Sequence, residues 1–156
     1  MSVEAVVTGR TDVSPEVAWD VITAIAAYPD RVGSYVSVEP LTAVPLRLGS
    51  SWRQTRTVFG RSHSQVLEVS EWDPPRAMTT TASESGARYV MRHRLERDGD
   101  GTLIEVRFGA EPTNLLAALV QRLMGRRLIA STREAMQRDL ADLLRAMDPI
   151  APGTAM

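Results

Sequence analysis

The stretch from Thr113 to Met147 constrains this chain most, because no proline interrupts it between Pro112 and Pro149. Thr113 is the expected N-cap, and the run after it is expected to be helical. In its second half Ile129, Thr132, Met136, Leu140, Leu143 and Met147 recur at steps of three and four, with Arg133, Glu134, Arg138 and Asp142 between them. One face of that half has to be buried. Leu116, Leu119, Val120 and Leu123 form an earlier apolar set. Gly125 interrupts the register between the two sets and marks the expected place for a kink or a boundary between helices. At about 1.5 Å per residue an unbroken helix would be about 50 Å long, more than most single-domain helices need, so a sheet is expected to wrap it.

Upstream, Val3 to Gly9 mixes apolar and β-branched residues as a strand does. Ser14, Pro15 and Glu16 then supply an N-cap, a proline at the first helical position and an acid in the electropositive first turn. Ala18, Val21, Ile22 and Ile25 are the stripe this helix buries, and it is expected to stop before Pro29, leaving Tyr28 to Tyr35 irregular or as one helical turn. From Val36 the period becomes strand-like, over Val36 to Ala43, Ser50 to Phe59, Ser62 to Trp72, Ala77 to Ala82, Ala87 to Arg97 and Thr102 to Glu111. Each break between these runs holds Gly, Pro or Asp, the residues that tight reversals need. Such short connections exclude parallel crossovers, so an antiparallel meander follows. The expected class is α+β, an antiparallel sheet of about seven strands covered by the C-terminal helix, with residues 1–148 as one domain and residues 149–156 as a disordered tail.

Composition narrows the function classes. A chain of 156 residues with 44% apolar and 24% charged residues has the balance of one globular domain. Its net charge of -1 leaves no basic excess, and Arg88, Arg92 and Arg94 offer only a weak local patch, so no nucleic-acid partner is expected. The absence of cysteine excludes disulfides and thiolate metal sites, and neither a metal nor another cofactor is expected. Glu4 stands where a signal peptide would carry positive charge, and the nearby apolar run is too short to span a bilayer. A cytoplasmic location without stable membrane insertion is the expectation.

The order strand, helix, meander, long helix is accompanied by specific local sequences. They are Ser14-Pro15-Glu16-Val17-Ala18-Trp19-Asp20-Val21, Tyr28-Pro29, Gly49-Ser50-Ser51-Trp52-Arg53, Val69-Ser70-Glu71-Trp72-Asp73-Pro74-Pro75 and Asp98-Gly99-Asp100-Gly101-Thr102. Together they resemble the helix-grip superfamily of START domains, pollen-allergen-like proteins and polyketide cyclase/dehydrase-like proteins, in particular the bacterial polyketide cyclase/dehydrase-like branch. These are caps and turns rather than reactive groups, so they speak for fold and not for activity. Where family members commonly carry tryptophan just after Tyr-Pro, this chain has Asp30, Arg31 and Val32, and that corner is expected to be built differently. The resemblance implies a curved sheet gripping the terminal helix, with a hollow between them for an apolar or amphipathic small molecule.

Strand parity, anchored on Leu67 and Val69, identifies the residues that would line such a hollow. Trp52, Gln54, Arg56, His63, Leu67, Tyr89, Met91, His93 and Phe108 are the candidates from the sheet, and Met124, Leu128 and Thr132 those from the helix. Each has two readings. His63 is solvated beside the Gly60 turn or touches ligand, His93 is a structural or a pocket histidine, and Arg56 snorkels to the rim or is buried. Trp19 and Trp72 read as packing residues, and Met124 and Met136 as core or as ligand contacts. No nucleophile motif or phosphate-binding loop appears, so no catalytic residue is assigned. A carrier or sensor of a hydrophobic small molecule, lipid- or polyketide-like, is the expected function. A cyclase or dehydratase using the His, Arg and Tyr set is the alternative, and a protein-interaction module is the third. Whether the chain is a monomer or a dimer is not encoded in these features.

Overall fold

The computed structural model describes residues 3–84 and 86–148. The expected tail, residues 149–156, lies outside them. Strand β1 (Val3–Thr11) leads into helix α1 (Pro15–Thr23), a 3-10 turn (Ile25–Ala27) and the single turn α2 (Tyr28–Arg31). Strands β2 (Tyr35–Pro40), β3 (Ser51–Val58), β4 (Arg61–Asp73), β5 (Ala77–Glu84), β6 (Ala87–Asp98) and β7 (Gly101–Pro112) follow, and helix α3 (Leu115–Met147) ends the described chain. The seven strands form one antiparallel sheet in the order β1-β7-β6-β5-β4-β3-β2. The meander expected from the turn residues is therefore present, with β1 added against its last strand. This curved sheet around a long terminal helix is the helix-grip arrangement.

Local chemistry explains most boundaries. Ser14 caps α1 by accepting from the Val17 amide at 3.3 Å, with Pro15 at the first position. The β3–β4 reversal is tight because Phe59 and Gly60 both take positive φ, 50° and 75°, the dihedrals that fit a two-residue turn to the twist of its strands. Two local expectations need correction, the N-cap of α3 and the break at Gly125. Asn114, not Thr113, is the N-cap of α3, accepting from the Ala117 amide at 2.8 Å, because the Thr113 amide is still tied to the Gly86 carbonyl at 2.7 Å. The first helix stops before Pro29 as expected, and the expected helical turn after it is α2, in which Tyr28 adopts helical dihedrals (φ -58, ψ -39) although it precedes a proline. Pro29 sits near the start of α2, where its missing N–H would have had no partner. Gly125 lies inside an unbroken α3.

That continuity has a consequence for packing. At about 100° per residue, the set Leu116, Leu119, Val120 and Leu123 points roughly 150° away from the set Ile129 to Met147, so a continuous helix cannot bury both on one sheet. The second set is the buried one. Met136, Leu140, Leu143 and Met147 pack with Val7, Leu95, Ile104 and Val106 of the sheet and with Ile22 of α1 in one core. Gly9 permits the close seating of α3 on β1, since a Cβ there would lie 2.9 Å from Leu144 Cδ1 and 3.1 Å from Leu140 Cδ2. Trp19 and Trp72 pack with ring centroids 5.1 Å apart and tie α1 to β4.

Candidate functional site

Alternation along the strands delivers the inner face. On β3, Trp52 and Gln54 are buried and Arg53 is exposed; on β6, His93 and Leu95 are buried and Arg94 and Glu96 exposed; on β7, Ile104 and Val106 are buried. The parity on β4 changes once. A bulge between Val69 and Glu71 turns Trp72 inward and sends Glu71 out to Thr79 and Arg92. Hydrogen bonds to these two partners, Thr79 first, hold the Glu71 carboxyl below its usual range.

Two adjoining hollows lie on this face. The first, about 400 Å³ to its open side, is bounded by His93 and Val106 from the sheet, Tyr28 and Val32 from the α2 region, and Met136 and Leu143 from α3. The second, about 360 Å³ with the open solvent at its mouth included, is bounded by Gln54, Leu67, Thr80, Tyr89 and Phe108, with Gln65 at its side. Tyr35, Arg56 and Met91 border both and form the waist between them. Tyr89 and Phe108 stack at 5.9 Å and give the second hollow a flat aromatic wall. Val32, only 1% exposed, closes the first hollow on the side of the α2 region.

The waist carries the charge. Arg56 pairs with Asp139 of α3, with side chains 18% and 20% exposed. Its guanidinium also donates to Ser34 Oγ at 2.9 Å and lies 4.6 Å over the Tyr35 ring, while the Ser34 hydroxyl donates to Asp139 at 2.8 Å. Burial pushes the Tyr35 hydroxyl pKa up, opposed by the Arg56 charge. Tyr28, also raised by burial, donates its hydroxyl to the Ile22 carbonyl and stands edge-on to Tyr35 at 5.1 Å. Among the described side chains, two buried polar atoms have no partner: Arg56 Nε and His93 Nδ1. Burial lowers the His93 pKa to about 4, so its ring is neutral near pH 7 and offers one donor and one acceptor.

Of the sequence candidates, Gln54, Arg56, Leu67, Tyr89, Met91, His93 and Phe108 border the hollows. Trp52 is buried in the core beside them, with Nε1 donating to Gln54 Oε1 at 3.1 Å. The other four lie elsewhere. His63 is 45% exposed and pairs with Glu84 at 2.9 Å, because this end of β4 runs past the concavity. Met124 and Leu128 are 59% and 42% exposed, on the helix face turned away from the sheet, and Thr132 is half-buried outside both hollows. Sequence reasoning missed Asp139, Ser34, Tyr35 and Tyr28. Asp139 had one signal, an acid directly beside Leu140 at the edge of the buried stripe. Among the described residues no group of three or more His, Asp or Glu side chains is arranged to hold a metal ion. None of their helices is long and apolar enough to cross a membrane.

The family model for polyketide cyclase / dehydrase and lipid transport proteins matches residues 2–147. The chain belongs to this family. Among solved structures, this family member is similar to the Zhui aromatase/cyclase from Streptomyces sp. R1128, with TM-score 0.79 and 16% identity over 99% of each chain. It is similar to the major latex-like protein 151 of Panax ginseng, with TM-score 0.75 and 11% identity over 95% of this chain and 99% of that one. A START superfamily protein from Mycobacterium smegmatis gives TM-score 0.69 and 17% identity over 94% and 99%. At these identities the likeness carries the fold alone. No curated protein matches the sequence.

Proposed function

We propose that the paired hollows bind one hydrophobic or amphipathic small molecule, lipid- or polyketide-like, and that the chain acts as its carrier or sensor. One observation carries the reading: Arg56 Nε and His93 Nδ1, both buried and unpartnered, belong to side chains that border an otherwise largely apolar space. Buried polar atoms left without partners are rare and disfavoured, and a ligand carbonyl or hydroxyl would satisfy them. The aromatic wall of Tyr89 and Phe108 suits rings or chains at the other end. With its pKa lowered to about 4, His93 is a weak general base at neutral pH, which favours binding over proton abstraction.

Cyclase or dehydratase chemistry is the second reading. It is supported by the same imidazole, which borders the first hollow and whose Nδ1 has no partner. Native mass spectrometry of freshly purified protein, followed by displacement of an apolar dye with a sterol, a fatty acid and a polycyclic aromatic compound, tests the first reading. Saturable binding displaced by one class is the expected result. Turnover of an aromatic poly-ketone precursor would move the assignment to the enzyme, and no saturable binding in any class would end the carrier reading.

A further inference from the structure

The first half of α3 presents its apolar stripe to solvent. Leu116, Leu119, Val120, Leu123, Met124 and Leu128 are all exposed, Leu123 to 76%. The half-buried positions of the same segment hold the smaller or polar Ala117, Ala118, Gln121 and Gly125, and Gln121 donates to the Ala110 carbonyl at 2.8 Å. Singly exposed apolar residues are ordinary, but a stripe along roughly three helical turns is an unpartnered face.

Charge selects the occupant. Arg122, Arg126 and Arg127 lie on this segment, Arg133 follows just beyond it, and no acid stands between Glu111 and Glu134. Among the described residues none of the four arginines enters an ion pair. The whole chain has a net charge of -1, so this positive field is local to the stripe. A second copy is a poor fit, because pairing the stripe with itself would bring two sets of arginines together without an acid between them. At the same end of the sheet the β3–β4 tip exposes Phe59, held at φ 50°. Glu84 pairs with His63 near this tip, and Ala87 lies opposite Pro112, just before α3 begins. A bulky residue held at positive φ is strained, and here its ring is left in water rather than packed.

We infer that the first half of α3 docks on an anionic lipid surface, with the apolar stripe lying in the plane of the interface and the arginine stems reaching up to the headgroup phosphates. This is peripheral association, in keeping with the absence of any membrane-crossing helix among the described residues. It stands independently of what occupies the hollows.

Vesicle co-sedimentation of the full chain tests the inference, using phosphatidylcholine vesicles with and without phosphatidylglycerol. Binding is expected only with phosphatidylglycerol. Each of Arg122→Gln, Arg126→Gln and Arg127→Gln should weaken it about five-fold. Leu119→Glu with Leu123→Glu should abolish it while far-UV circular dichroism stays unchanged, since both side chains are already exposed. Failure of the wild type to bind phosphatidylglycerol vesicles, or undiminished binding by the glutamate variant, overturns the proposal. So does a concentration-dependent dimer in sedimentation equilibrium that the glutamate variant dissolves without any vesicle binding, because the face would then be a self-interface.

Discussion

His93 and Arg56 carry the polar character of the hollow, and each makes a measurable demand on the fold. His93 is neutral in the folded state because burial lowers its pKa from 6.5 to about 4. Unfolding returns it to its ordinary value, so the unfolded chain takes up the proton first, and stability falls as pH drops through 6.5 toward 4. The loss from this group approaches about 3 kcal/mol. Urea denaturation of wild type and His93→Leu at a series of pH values should show that limb in the first and a flatter one in the second. Parallel curves would contradict the burial argument. Asp139→Ala should cost about 2 kcal/mol, since it leaves the mostly buried Arg56 charge without its counter-ion, a value reduced for the exposure that remains. A denaturation midpoint equal to wild type would show the pair to be solvated. The inward direction of His93 was legible from simple alternation. Its lack of a partner was not, and neither was the Arg56–Asp139 pair, because residues 83 apart in sequence meet only through the tertiary fold.

Among the elements, α3 divides into a packed half and an exposed half. Leu140→Ala removes a core side chain and should cost about 2 to 5 kcal/mol, whereas Leu123→Ala should change stability by less than about 0.5 kcal/mol. Equal effects on the thermal midpoint would mean that the first half packs after all. The strand boundaries were readable because Gly, Pro and Asp punctuate them, and the helix itself because proline is absent from it. The phase difference between its two apolar sets was also present in the sequence. Two outcomes satisfied it, a break at Gly125 or an exposed first stripe, and only the course of the backbone distinguishes them. The bulge after Val69 was equally hidden, since an extra residue in a strand leaves no periodic trace beyond the inward turn of Trp72.

For the whole molecule, the grip of sheet on helix leaves a waist at Tyr35, Arg56 and Met91 between two hollows. A ligand longer than either hollow has to pass that waist, and the unbranched Met91 side chain is the one best suited to yield. The central claim is that the concave face of β6 recognises a small molecule while its convex face meets water. Neighbours on that strand test it, because the pleat sends His93 inward and Arg94 outward. The decisive measurement is the affinity of a saturably bound, displaceable apolar dye for wild type, His93→Ala and Arg94→Ala. The predicted result is a several-fold change for His93→Ala, the worth of about 0.5 to 1.5 kcal/mol for one neutral hydrogen bond, with Arg94→Ala equal to wild type. Weakened binding by Arg94→Ala with His93→Ala unchanged would contradict it.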